Sequence, residues 1–143
     1  HRASLAWLDE ALTENATLEL LGHARSYVTE RKLLLKLIRA GVPRHLLYAM
    51  YFENDMEGKP GEHRLPHTKA LFQKTHKIFG KGFLMRLDRF IWEMAAKKGR
   101  PDSWRSGTTS ALETWDTFGD GFPNFLLQRE RDQKEPPRAP ATW

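Results

Sequence analysis

Residues 33–54 read LLLKLIRAGVPRHLLYAMYFEN, an apolar helix-like run that breaks at Ala40-Gly41-Val42-Pro43 and restarts on Arg44-His45 with a second apolar stripe. Before the break, Leu34, Leu37 and Ile38 follow the three-and-four spacing of one helix face, while Arg31, Lys32, Lys36 and Arg39 take the opposite side. A glycine just past a helix commonly ends it, and a proline suits the first turn of the next, so Gly41 and Pro43 mark a corner between two helices. Leu46, Leu47, Met50 and Tyr51 form the second stripe. This is the outline of a helix-turn-helix, and equally that of a plain helical hairpin. Leu37, four positions before the turn glycine, is larger than the small residue usual where a DNA-reading pair approaches closely.

The same helical periodicity extends along the chain, and alternating strand-like runs are scarce. Ser4 can cap a first helix carrying Leu5, Leu8 and Leu12, and Thr17 to Val28 supply a second or continuing one with Leu18, Leu21 and Ala24 on one side; the two could be one helix bent near Asn15. Residues 57–66, EGKPGEHRLP, read as a loop. Thr68 starts a basic helix that Gly80 and Gly82 interrupt. Phe83, Leu84, Leu87, Phe90, Ile91, Met94 and Ala95 then give the most complete buried stripe in the chain, stopped by Lys97-Lys98-Gly99-Arg100-Pro101. Ser110 to Phe118 and Phe122 to Arg131 read as short helices divided by Gly119-Asp120-Gly121, and Pro136, Pro137 and Pro140 as an extended tail. The expectation is an all-α, compact multi-helix domain over residues 1–132 with a helix-turn-helix-like corner, followed by a Pro-rich tail at 133–143.

The 143 residues are 40% hydrophobic and 29% charged, enough for one domain with a real core, and no long apolar window predicts membrane insertion. His1 in place of Met leads to the expectation of a processed start, and no signal-peptide pattern is visible. Cysteine is absent, which excludes disulfides, thiolate zinc sites and a Cys nucleophile, and fits a cytoplasmic or other reducing compartment. Net charge is +5, and it is concentrated: residues 1–58 carry −1, residues 59–105 carry +8 and residues 106–143 carry −2. A basic focus of this kind raises the local concentration of polyanions, nucleic acid above all.

If the corner reads DNA, the start of its second helix enters the major groove, which nominates Arg44, His45 and Tyr48 for base edges. Arg31, Lys32, Arg39, Lys59, Arg64 and Lys69 would then hold phosphates, fixing register and making affinity salt-dependent. A metal site is not expected: Pro66 separates His63 from His67, and no HExxH occurs. Glu53, Asp55 and Glu57 are spaced so as to splay their carboxylates rather than pair them for acid-base work. GKPGEH lacks the spacing of a phosphate loop, and no GxSxG elbow presents a serine, so neither an enzyme nor a cofactor is expected. Trp7, Trp92, Trp104, Trp115, Phe72, Phe79, Phe83 and Phe90 read as core volume, with Trp104, in the Asp102-Ser103-Trp104-Arg105 loop, the most exposed of them and a possible anchor for a partner.

The stretch LLYAMYFENDMEGKPGEHRLPHTKALF, with Gly58, Pro60, the Leu65-Pro66 pair and Phe72, resembles the flagellar transcriptional activator subunit FlhC and the FlhC-like activators of conjugative elements. The likeness spans residues 24–92, about half the chain. It implies a mostly helical DNA-binding activator that works with a FlhD-like dimeric partner and recruits RNA polymerase. That family carries a cysteine zinc cluster, and this chain has no cysteine, so no metal site carries over. The contrasting expectation is a helical subunit of a large assembly, ribosomal or respiratory, whose basic middle meets RNA or acidic proteins and whose tail orders against a neighbour.

Overall fold

The computed structural model describes residues 6–45, 47, 48, 73, 76–100 and 104–134. Among the described residues five α-helices pack together: α1 (Ala6–Leu21), α2 (Val28–Arg39), α3 (Phe83–Lys97), α4 (Trp104–Phe118) and α5 (Phe122–Lys134), the last two joined by a single 3-10 turn at Gly119–Gly121. No strand occurs among the described residues, and none of their helices is long and apolar enough to cross a membrane. The all-α expectation is met. The Ser4 cap, the 57–66 loop, the Thr68 helix start and the Pro-rich tail lie outside the described residues.

The core forms where the apolar stripes meet. Trp7, Leu8, Leu33, Leu34, Leu37, Phe83, Leu87, Ile91 and Phe122 are all essentially inaccessible to solvent. Burying a Leu or Phe side chain completely stabilises by roughly 1.5–3 kcal/mol, so these residues carry most of the driving force. Around Phe122 the aromatic rings pack tilted and edge-on: Trp115 lies 5.0 Å away and Phe90 6.0 Å away, while Phe83 meets Trp115 edge-on at 6.4 Å. Trp7 also carries a polar tie across the chain, its indole Nε1 donating to Asp88 Oδ1 at 3.0 Å. That bond fixes α1 against α3 and supplies the buried Asp88 with a donor.

α3 and α4 cross in close contact, and the crossing rests on Gly107. A Cβ built there would lie 1.9 Å from the carbonyl oxygen of Ile91, so only hydrogen fits between the two backbones. The helix around Gly107 is WRSGTTS, which reads as loop by composition. It is helical because one face packs inward, with Gly107, Thr108, Ser110, Ala111 and Trp115 buried, while Thr108, Thr109 and Ser110 satisfy their hydroxyls on the carbonyls of Trp104, Arg105 and Ser106 at 2.8, 3.1 and 3.1 Å. Two expectations are therefore corrected. The helix begins at Trp104 rather than Ser110, and Trp104 does not stand in a loop: it is half-buried against the core and stacked on Tyr27 at 5.9 Å.

A third correction concerns residues 22–27. α1 runs through Asn15 and ends at Leu21, with Gly22 in the left-handed region beyond it, so Thr17 to Val28 is not all helical. The Glu14 carboxylate accepts the Ser26 N–H at 2.9 Å and draws the connection back along α1.

Gly107→Ala tests the crossing. Helix propensity alone favours alanine by roughly 1 kcal/mol. The overlap with the Ile91 carbonyl forces the helices apart, and we expect a net loss of about 1–3 kcal/mol in urea unfolding. Gly121→Ala, where a Cβ would meet nothing within 4 Å, should change stability by less than about 0.5 kcal/mol.

Candidate nucleic-acid interface

Gly41 closes α2 as its place in the sequence predicts. Past α2, Gly41 adopts φ +108°, its N–H donates to the Ile38 carbonyl at 3.0 Å, and the Val42 N–H reaches back to the Leu37 carbonyl, also at 3.0 Å. This pairing is a Schellman closure, and the accompanying contact between Val42 and Leu37 is buried. The backbone then turns helical at residues 44, 45, 47 and 48, with Leu47 buried beneath. Leu37, large for a close helix pair, fits because it points into the shared core.

The named side chains separate into distinct environments. Arg44 and His45 are exposed at the start of the second helical segment, and Tyr48 is half-buried against the core. Arg44 Nη1 donates to Glu19 Oε1 at 2.7 Å, a pair whose side chains are about half exposed, 45% and 52%. Pairs so open to water are worth about 0–1 kcal/mol, little enough for a phosphate or a base edge to compete for Arg44. On α2, Lys32 and Arg39 are exposed, while Lys36 between them is clasped by Asp116 of α4. Arg31 is half-buried, and its Nη1 is shielded from solvent without an acceptor. Lys59, Arg64 and Lys69 lie outside the described residues, as do His63 and His67.

What the sequence did not single out is that residues 76–82 dock onto this corner. Ile78 lies over Gly41, its Cδ1 3.5 Å from where a Cβ would stand. Ala40, Ile78, Phe79 and Trp115 line a cleft of about 450 Å³, with Asp120 and Asn124 also on its wall. The segment docked there also carries two exposed cations, Lys77 and Lys81, and Arg39 precedes the turn. The one sequence signal for them was the basic excess of the middle third, which gives a region rather than a position.

Beneath the opposite end of α2 lies a charge that no pattern announced. Glu30 is fully buried, and neither of its carboxylate oxygens accepts a well-formed hydrogen bond. Burial pushes its carboxyl above the usual range, opposed in part by its own backbone amide and by Arg105, whose Nε stands 3.7 Å away, and reinforced by Glu10. Arg105 in turn lies over the Tyr27 ring at 5.3 Å. Among the described residues no cluster of His, Asp and Glu has the makings of a metal site. Comparison with known protein families, curated proteins and solved structures returns no match to this chain.

Glu30 sets a pH dependence whose sign is fixed. Its carboxyl titrates near 4.5 when unfolded and higher when folded, so below 4.5 it is neutral in both states and costs nothing. As pH rises through the folded value, the charge must be carried inside and the native state loses stability. Glu30→Gln should therefore gain on the native chain in urea midpoints as pH increases from about 4 to 8, and Arg105→Ala should lose on it over the same range.

Proposed function

We propose that this chain is a DNA-binding domain of a transcriptional regulator, non-enzymatic, presenting the helical backbone that starts at Arg44 and His45 to base edges. The observation that carries the reading is the docking of residues 76–82, which bear the exposed Lys77 and Lys81, onto the turn that follows Arg39. Arg39, Lys77 and Lys81 come from two stretches far apart in sequence, are exposed, and make no ion pair among the described residues. A cationic surface next to a protruding helix start is what phosphate positioning followed by base readout requires. Arg44 and His45 would read bases, and Arg39, Lys32, Lys77 and Lys81 would hold backbone phosphates. Arg31, half-buried on α2, fits this role less well than its neighbours. The FlhC-like resemblance would add a FlhD-like partner and RNA polymerase to the assembly.

A specific observation favours the other reading, a subunit of a larger assembly. Leu20 and Leu21 at the end of α1 are 83% and 63% exposed, and Val28 at the start of α2 also faces solvent. Adjacent exposed apolar side chains of this kind suit a protein neighbour. The two readings are compatible if the α1 end meets the protein partner and the corner meets the nucleic acid.

Binding to duplex DNA should weaken steeply with salt, and Arg39→Ala, Lys77→Ala and Lys81→Ala should each reduce the slope of log affinity against log salt by about 1 without altering sequence preference. Arg44→Ala should instead reduce discrimination between a selected site and a scrambled duplex by roughly 1–3 kcal/mol. Titrations by fluorescence anisotropy over a salt series measure both. A slope indifferent to all three cations, with copurification in a stoichiometric protein complex, would move the assignment to the assembly reading.

A further inference from the structure

The exposed cations of the proposed contact are of two kinds. Lys32, Arg39, Lys77 and Lys81 make no ion pair among the described residues. Arg44 is held: its Nη1 donates to Glu19 Oε1 of α1 at 2.7 Å. Glu19 is itself positioned. Asn15, one turn earlier on α1 and only 4% exposed, donates from its Nδ2 to the same Oε1 at 3.3 Å. A buried amide thus orders a surface carboxylate in advance, and Arg44 meets an acceptor already in place.

An arginine paired with a carboxylate is close to neutral toward a polyanion. It releases no counterion, so it adds nothing to the salt-dependent part of duplex binding that ignores sequence. A new partner takes Arg44 from Glu19 only by returning more than the hydrogen bond that is lost. A guanine edge does so: O6 and N7 accept two bonds from the guanidinium fork, and the base carries no net charge. A phosphate can also accept the fork, but it brings a negative charge up to the Glu19 carboxylate, and that repulsion opposes the exchange. The pair is about half exposed and therefore weak, so a base edge can win Arg44.

We propose, resting on the reading of this corner as a DNA contact, that Glu19 is a specificity-determining residue: it withholds Arg44 from phosphates and yields it to a guanine edge. Asn15 is its positioning residue. Arg44 then contributes to discrimination between sequences and not to general duplex affinity, which the unpaired cations supply.

The test follows binding of the full chain by fluorescence anisotropy over a salt series, to a duplex selected from a random pool and to a scrambled one. Glu19→Gln keeps the shape and removes the charge, and Glu113→Gln removes an exposed charge of α4 as a control. Urea midpoints establish that the variants are folded. Glu19→Gln should bind the scrambled duplex about 2–5-fold more tightly at low salt, with a slope of log affinity against log salt steeper by about 1, the increment of one further phosphate contact. The selected duplex, on which Arg44 already sits at a base, should keep its native slope. Adding Arg44→Ala to Glu19→Gln should return the scrambled-duplex slope to the native value, and Glu113→Gln should leave that slope unchanged. An unchanged slope in Glu19→Gln, a gain that persists without Arg44, or an equal gain in Glu113→Gln overturns the proposal and leaves the DNA reading standing. Absence of duplex binding at low salt in the native chain and in Glu19→Gln alike overturns both.

Discussion

The contact on which the rest of the molecule depends is the crossing of α3 and α4 at Gly107, where the Ile91 carbonyl stands too close for any side chain. Because the two helices approach this closely, Phe83, Trp115 and Phe122 meet as one aromatic cluster rather than as separate patches. α2 packs on α4, and α1 on α2, so the position of the corner is inherited from that crossing. Lys36 with Asp116 adds a surface tie between α2 and α4, and Trp7 with Asp88 a buried one between α1 and α3.

Two buried charges show what this arrangement tolerates. Glu30 sits inside with only a distant guanidinium for company, whereas Asp88 receives the Trp7 indole. Both are acids under helices rich in leucine and phenylalanine, yet only Asp88 has its charge directly met by a donor on another helix. Buried ion pairs of imperfect geometry are weak contributors to stability and can instead limit the ways in which helices pack. Here Glu30 ties α2 to Arg105 at the start of α4, the end of α4 nearest Tyr27.

Much of this was legible in the chain. The stripe from Phe83 to Ala95 predicted α3 and its buried face, and Gly41 predicted the end of α2, because local periodicity and local backbone geometry decide both. α4 was read too short because serine, threonine and glycine are poor helix formers in isolation. Within the fold the glycine admits Ile91 and the face bearing Thr108, Ala111 and Trp115 is buried, and that packing is not visible without the neighbouring helices. Of the proposed contact residues, Arg39, Arg44 and His45 are exposed as expected, since they stand opposite or beyond apolar stripes. The docking of the segment that bears Lys77 and Lys81 could not be read from sequence, because the Ile78 contact with Gly41 spans a long separation. The pairing of Arg44 with Glu19 and the burial of Glu30 are likewise tertiary facts.

Native-state amide hydrogen exchange tests the central role of the crossing most directly, because it ranks the segments of a fold by the free energy needed to open them. If the α3–α4 contact organises the domain, amides near Ile91 in α3 and near Ala111 in α4 will be the slowest to exchange and will do so only on global unfolding, with those of α1 near Leu18 opening earlier. Slowest exchange in α1 or α2, with α3 and α4 opening independently of each other, would contradict it.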